Sequence, residues 1–355
     1  MQAGDNRRAP VYCPPMPIAP AEALNRQVRV LRRATGIPTP DMFELVELPI
    51  PACPQGGVLL RVLNASVDPA MRGWLSAETN YATVPDGAVM RAHGVGAVIA
   101  SDCPHWPVGA HAYGWLGWQR FAAVMPADLL WPVDLAFAPA PAWLNVFGLN
   151  GLTAWIGLVH LGRPKPGQTL LVTTAAGAVG GIVGQIASSL SVRCVGLTGG
   201  ADKVARATAE LGYTAAIDYR ANADHLTDAI RAACPAGIDL FYDNTAGWLA
   251  DAVFPLLNTN ARIIQCGTAS IASWLPPPQG PRRERDMLVK RLSWHGFVAF
   301  DYADLFAQAL AALRQLYAAG QLTSNDQVLD GLDQAPGAVG MLYRGENHGR
   351  LSIRP

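Results

Sequence analysis

Net charge is the first thing this sequence lacks: Lys plus Arg and Asp plus Glu both number 27 in a chain of 355 residues. A chain without excess charge has no long-range field to hold a polyanion, which argues against a nucleic-acid partner. Charge of either sign is sparse, at 15% against 50% hydrophobic residues, a balance that provides a sizeable core and suits an enzyme with an apolar pocket. Paired cysteines are missing too. Cys13, Cys53, Cys103, Cys194, Cys234 and Cys266 are scattered, with no Cys-x-x-Cys and no His at metal-ligand spacing. That pattern disfavours a disulfide framework and a clustered zinc site, and reads as thiols in a reducing cytosol. No apolar run approaches the ~18 residues of a membrane span. Residues 1–25 carry Arg7, Arg8 and five prolines before Leu24. They lack the apolar stretch of a signal peptide and read as a surface or disordered extension. The expected location is cytoplasmic, with no membrane partner.

What is present falls into two textures. From Val28 to about Ala123, short apolar runs such as Val58–Leu63 and Gly94–Ile99 are broken by Gly and Pro. Such punctuation with little 3.6-residue periodicity indicates a β-rich domain. After Asn145, strand and helix signals alternate: strands at Thr169–Thr174, Val192–Thr198, Ala215–Asp218, Ile238–Tyr242 and Ala261–Cys266. Helices are expected between them at Val179–Leu190, Lys203–Leu211, Asp224–Ala233 and Trp248–Leu257, and another at Leu305–Ala319. Alternation of this kind specifies an α/β unit with a doubly wound parallel sheet, the Rossmann arrangement. The expected divisions are 1–147, 148–320 and a return to the first domain over 321–355.

The stretch Leu170-Leu171-Val172-Thr173-Thr174-Ala175-Ala176-Gly177-Ala178-Val179-Gly180 carries the chemistry. An apolar strand enters a turn of small residues that opens a helix, whose free N–H groups and dipole favour a pyrophosphate. Gly177 allows the chain to approach the phosphates, and Gly180 allows the helix to pack on the strand. A tight structural turn is the simpler alternative. The second strand ends Val195-Gly196-Leu197-Thr198-Gly199-Gly200, without the acidic residue that binds the ribose 2′-hydroxyl of NAD. Lys203 follows where it can reach a 2′-phosphate, although it also reads as an ordinary solvated helix lysine. NADPH is therefore the better fit.

These motifs, with Gly199-Gly200-Ala201-Asp202-Lys203, resemble the zinc-independent medium-chain dehydrogenase/reductase superfamily. Within it they resemble the branch of prostaglandin/leukotriene reductases, alkenal double-bond reductases and curcumin reductases. Ser66-Val67-Asp68-Pro69-Ala70-Met71-Arg72-Gly73, Gly237–Asn244, Gly296–Tyr302 and Arg344–Gly349 continue the likeness, which spans Arg29 to Ile353. The resemblance implies a Rossmann domain inserted in a GroES-like β-rich domain, and a homodimer. It would place NADPH against Gly177, Ala178, Val179 and Gly180, with Lys203 and Tyr219 on the 2′-phosphate. Asn244, Cys266, Phe297, Val298, Ala299 and Asn347 would line the remainder of the cofactor. Phe297, Val298 and Cys266 also read simply as buried residues. Zinc-dependent relatives carry a Cys where Asp68 stands and an acid after the His-equivalent of His93; here His93-Gly94-Val95 follows. No metal is expected.

The implied activity is NADPH-dependent reduction of the C=C bond of an α,β-unsaturated carbonyl, with hydride delivered to the β-carbon. The branch's tyrosines are replaced by Ala70, Trp155 and Ala272, leaving Tyr81 as the candidate hydroxyl donor, with a packing tyrosine as the alternative. The two alanines enlarge the pocket, and Trp74, Trp115, Trp118 and Trp274 would favour a bulky substrate if they line it. Two other readings stay open: a quinone oxidoreductase of the same superfamily, and an NADPH-binding protein with a non-redox or regulatory role.

Overall fold

The computed structural model describes residues 24–76, 82–271 and 276–355. Chain order begins with β1 (Leu24–Val30), β2 (Phe43–Pro49), β3 (Val58–Ser66), α1 (Met71–Leu75) and β4 (His93–Ser101). Then come β5 (His111–Trp115), β6 (Phe121–Val124), β7 (Leu129–Pro132), α2 (Ala140–Leu144) and α3 (Leu149–Trp155). The α/β alternation runs β8 (Thr169–Thr173), α4 (Ala178–Ser189), β9 (Arg193–Thr198), α5 (Ala201–Glu210), β10 (Ala215–Asp218) and α6 (Leu226–Ala233). It continues with β11 (Ile238–Asp243), α7 (Gly247–Val253), β12 (Leu257–Gln265), α8 (Glu284–Lys290), β13 (Ser293–Gly296) and α9 (Phe306–Ala318). The chain closes with β14 (Asp326–Asp330), α10 (Ala335–Arg344) and β15 (Arg350–Arg354).

One sheet has six parallel strands in the order β10-β9-β8-β11-β12-β13. Its inner strands β8, β9 and β11 are buried on both faces because helices cover both. In β8, Leu170 and Val172 point into a core shared with α3 and α4, while Leu171 points into the opposite core beneath α6 and α7. Each such side chain contributes roughly 1.5–3 kcal/mol of burial. The second sheet, β14-β15-β3-β4-β5-β7 with β6 also on β3, is largely antiparallel, and β15 inserts between β14 and β3. A two-stranded sheet, β1 with β2, completes it. The expected fold class is the observed one: a Rossmann sheet with a separate β-rich unit.

Two local differences from the sequence-based expectation have physical causes. The helix expected over Trp248–Leu257 stops at Val253, and a 3₁₀ turn over Phe254–Leu256 leads into β12. Pro255 lies in that turn, and its missing N–H cannot continue the helical ladder. After α3 the chain forms a π-helical turn over Ile156–Gly162. Gly157 sits there because a Cβ would lie 2.6 Å from the Tyr242 hydroxyl and 2.8 Å from the Phe297 ring.

Candidate active site

In an open parallel sheet, ligands bind beyond the strand ends where the winding direction reverses. Here that point lies between β8 and β11, the strands on either side of which run to β9 and to β12. A buried carboxylate pins these ends together. Asp243 accepts hydrogen bonds from Thr173 Oγ1 at 3.0 Å, the Thr245 N–H at 2.8 Å, the Ala246 N–H at 3.0 Å and Gln265 Nε2 at 3.1 Å. Asn244 donates from its side-chain amide to the Thr173 carbonyl at 2.7 Å. β8, β11 and β12 thus end at one rigid rim, and Asn244 stands on it.

The turn after β8 is tightly built. Thr174 adopts a left-handed φ of 58°, and the Gly177 N–H returns to its carbonyl at 2.8 Å. For a β-branched residue this conformation stores strain, held here by the surrounding contacts. Gly177 is the N-cap of α4 and has no side-chain cap. Its helix therefore presents free N–H groups at the rim. A Cβ on Gly180 would lie 2.2 Å from the Thr174 carbonyl oxygen, and one on Gly196 2.5 Å from Ala175 Cβ. Glycine at both places lets α4 and β9 close on the turn. Ala178 and Val179 form the first turn of α4. The backbone of Gly177 pairs in parallel with Gly349, bringing the Arg344–Gly349 segment beside this turn.

At the tip of β9 the fold gathers cations. Lys203 Nζ donates to the Gly345 carbonyl at 2.6 Å, and the Arg220 guanidinium donates to the Arg344 carbonyl at 3.2 Å. A Cβ on Gly199 would meet Arg220 Nε at 2.8 Å and the Tyr219 hydroxyl at 3.0 Å. Tyr219 and Arg220 therefore flank the Gly199 backbone, and Lys203 joins Arg220 at Gly345, where a Cβ would lie 3.8 Å and 2.9 Å from their nitrogens. Among the described residues neither cation forms an ion pair with a carboxylate. Burial, and then the charge of Arg220, push the Lys203 ammonium below its ordinary range. Nothing in its spacing singles out Arg220 in the sequence; only the return of the chain after β10 brings it to Lys203.

The other expected residues take different places. Cys266 follows β12 and its thiol is enclosed beside Tyr242; burial pushes its pKa up to about 12, so it is an unreactive thiol. Its N–H donates to the Asp243 carbonyl at 2.8 Å. Phe297 packs against the first core, Val298 is 48% exposed and Ala299 is buried. These three leave the end of β13 on the same rim. Asn347 donates from its amide to the Gly349 carbonyl at 2.8 Å, shaping the segment that meets Gly177. Tyr81, Ala272, Trp274 and residues 1–23 lie outside the described residues.

On the β-rich side, Asp68 is buried and ion-paired with Arg350 at 2.5 Å. Burial pushes its carboxyl up, but the Arg350 guanidinium outweighs this and holds it below the usual range. His93, the first residue of β4, is 1% exposed and burial pushes it down to about 4. Its ring lies 3.7 Å from Trp115 and 5.4 Å from Tyr113, centroid to centroid, with Phe300 at 6.2 Å. Trp74 meets Trp115 edge-on at 5.7 Å, and the Arg91 guanidinium lies 4.5 Å above Trp74. Trp118, by contrast, is fully buried and donates to the Ser66 carbonyl at 2.9 Å, so it is a core residue. Ala70 is exposed at the start of α1, whereas Trp155 is buried. Arg72 Nη1 reaches the Ile271 carbonyl at 2.7 Å, bridging the β-rich unit to the loop after β12.

Family models match twice: residues 26–133 as the N-terminal domain of oxidoreductase, and residues 211–351 as zinc-binding dehydrogenase. The NADPH-dependent curcumin reductase of Escherichia coli (strain K12) is 38% identical over 338 residues, covering 93% of this chain and 96% of that protein. The chain belongs to the medium-chain dehydrogenase/reductase superfamily. It falls in the zinc-independent branch of the curcumin, alkenal and prostaglandin reductases. The NADP⁺-dependent 2-alkenal reductase of Nicotiana tabacum is 30% identical over 337 residues, 94% of this chain and 98% of its own length. The crystal structure of CurA from Vibrio vulnificus in complex with NADPH is 35% identical and superposes with a TM-score of 0.85, covering 93% and 98% of the two chains. Among the described residues of this branch member, no group of three or more His, Cys, Asp or Glu is placed to hold a metal ion.

Proposed function

We propose that this protein is an NADPH-dependent reductase of the C=C bond of α,β-unsaturated carbonyl compounds, acting by hydride transfer to the β-carbon. The observation that carries the reading is the likeness to curcumin and alkenal reductases along both the nucleotide-binding and the β-rich portions of the chain. The residues present fit the cofactor. Gly180 lets α4 close on the turn after β8, so that its free N–H groups stand at the rim, and Lys203 with Arg220 supplies two cations, neither ion-paired among the described residues, where an NAD site carries an acid.

When bound, NADPH supplies the hydride. The chain's own residues bind and orient. Gly177, Ala178, Val179 and Gly180 offer backbone N–H groups to the pyrophosphate. Lys203, Tyr219 and Arg220 hold the 2′-phosphate through charge-assisted hydrogen bonds. Asn244, Cys266, Phe297, Val298, Ala299 and Asn347 line the remainder, Cys266 through its backbone because its thiol faces Tyr242. Trp115 and Phe300, near parallel at 26°, with Trp74 edge-on to Trp115, supply aromatic bulk that suits a bulky enone. Charge develops on the carbonyl oxygen as hydride adds, so a donor aimed at that oxygen lowers the barrier.

We propose further that the protein acts in the cytoplasm as a homodimer. β13 is exposed along its whole length and among the described residues pairs only with β12; its own Trp294 is 45% exposed, and Leu288 and Val289 of α8 are 77% and 54% exposed. An open apolar edge of this kind is ordinarily covered. Among the described residues no helix is long and apolar enough to cross a membrane. Turnover of enones, enals and quinones with NADPH and with NADH tests the reading: selective NADPH oxidation by enones supports it, and turnover of quinones alone overturns it.

A further inference from the structure

His93 is a buried polar side chain with both of its ring nitrogens unpartnered among the described residues. It opens β4 and is 1% exposed. An unpartnered buried polar group carries a desolvation cost of about 1–3 kcal/mol, so one retained in a native core calls for a partner. Among the described residues none reaches either ring nitrogen, and the polar groups nearby are bonded elsewhere. The Asp68 carboxylate is taken by Arg350 Nη1 at 2.5 Å and by the Ser66 hydroxyl at 2.5 Å. The Ser66 hydroxyl also receives the His93 backbone N–H, at 3.1 Å. The Tyr113 hydroxyl accepts the Leu149 N–H at 3.3 Å.

The ring stands where the two halves of the molecule meet. Tyr113 and Trp115 belong to the β-rich sheet, whereas Phe300 follows directly on Phe297, Val298 and Ala299 at the rim of the parallel sheet. Phe300 is 38% exposed, so on the side of the parallel-sheet rim the imidazole is neighboured by a ring that itself reaches the surface. The hydroxyl positions of the branch are meanwhile filled by Ala70 and Trp155, neither of which carries a hydroxyl. We propose that the His93 imidazole donates its N–H to the carbonyl oxygen of the substrate and to the enolate oxygen that forms from it. The imidazole stays neutral throughout. Hydride from NADPH forms the new C–H bond at the β-carbon, the alkene π electrons move onto the carbonyl oxygen, and a proton from solvent completes the α-carbon. A neutral imidazole polarising a carbonyl is chemically sound, because a donor with little tendency to lose its proton stabilises charge without transferring it.

This inference rests on the reading of the chain as an alkene reductase, and the test separates the two. Wild type, His93→Phe, His93→Gln and Tyr81→Phe are assayed with NADPH and 4-phenyl-3-buten-2-one, with NADPH affinity measured in parallel by fluorescence. Loss of one oxyanion donor lowers kcat by about 10²–10³-fold. That loss is expected in His93→Phe, with NADPH affinity within about threefold of wild type and partial recovery in His93→Gln, which keeps an N–H. If wild type reduces the ketone and His93→Phe does so equally well, the inference falls while the reductase reading stands. A matched loss of turnover and NADPH affinity without recovery in His93→Gln also overturns it, as the mark of a packing role. If wild type reduces no enone, the reductase reading falls first. A measurement on the unaltered protein covers a variant that does not fold: the ¹⁵N imidazole resonances of His93, followed as NADP⁺ and 4-phenylbutan-2-one are added. A shift of the His93 N–H signal with the ketone, beyond that with NADP⁺ alone, is expected; its absence overturns the proposal.

Discussion

Acidification should destabilise this protein through His93, because its ring is buried and neutral. The ring is buried and its pKa lies at about 4, against 6.5 for the ordinary side chain. Burial is the largest cause. The nearby Asp68 carboxylate opposes it, and Arg350 and Arg91 reinforce it. In the unfolded chain the imidazole takes up a proton below about pH 6.5, whereas in the folded protein it waits until about pH 4. The unfolded state therefore binds more protons across that window, and stability falls as pH falls. With 1.36 kcal/mol per pKa unit, the loss is about 2 kcal/mol between pH 7 and pH 5, approaching about 3 kcal/mol by pH 4. The assay is urea unfolding at several pH values, followed by tryptophan fluorescence, on wild type and His93→Phe. Carboxylates titrate in both proteins, so the difference between the two pH profiles isolates the imidazole. The variant should gain about 2 kcal/mol relative to wild type on going from pH 7 to pH 5. Parallel profiles would refute the assignment of a neutral, enclosed imidazole.

Four further outcomes follow from the same geometry. Lys203→Ala and Arg220→Ala should each raise the KM for NADPH by roughly 10–100-fold, the worth of a hydrogen bond to a charged group, and leave NADH kinetics nearly unchanged; steady-state kinetics with both cofactors reads this directly. Gly180→Ala places a Cβ 2.2 Å from the Thr174 carbonyl, and should cost about 1–3 kcal/mol of stability together with most of the NADPH affinity, checked by denaturation and cofactor titration. Asp68→Ala strands the buried Arg350 guanidinium, and a loss of about 3–5 kcal/mol is expected in the same unfolding assay. Replacing Leu288 of α8 and Trp294 of β13, 77% and 45% exposed, with glutamate should turn the proposed dimer into a monomer in light scattering; an unaltered mass would show that another face is used.

Much of the α/β portion was legible in the sequence because its strands are buried on both faces. Leu170, Leu171 and Val172 alternate between two cores, so the run is apolar without interruption, and the small-residue turn after it has few other uses. The end of α7 was less legible: apolar residues continue through Phe254–Leu256 into β12, and the pattern carries no sign of the break except Pro255. The π-helical turn at Ile156–Gly162 was invisible for a different reason. Its shape is set by Tyr242 and Phe297, residues far along the chain that need Gly157 to approach. The same holds for the site. Lys203 could be read from its place after a strand without an acid, but Arg220 meets it only through the path of the chain after β10. His93 read as half of an absent metal motif; that its ring nitrogens have no hydrogen-bond partner among the described residues is a property of packing, which spacing does not encode.

The central claim is tested most directly by following the loss of NADPH absorbance with purified protein and a panel of α,β-unsaturated ketones and aldehydes, with quinones and NADH alongside, and by identifying the product. The account predicts NADPH-selective turnover of bulky enones to the saturated ketone, with deuterium from 4-deuterated NADPH appearing at the β-carbon. Deuterium at the carbonyl carbon, or turnover confined to quinones, would contradict it.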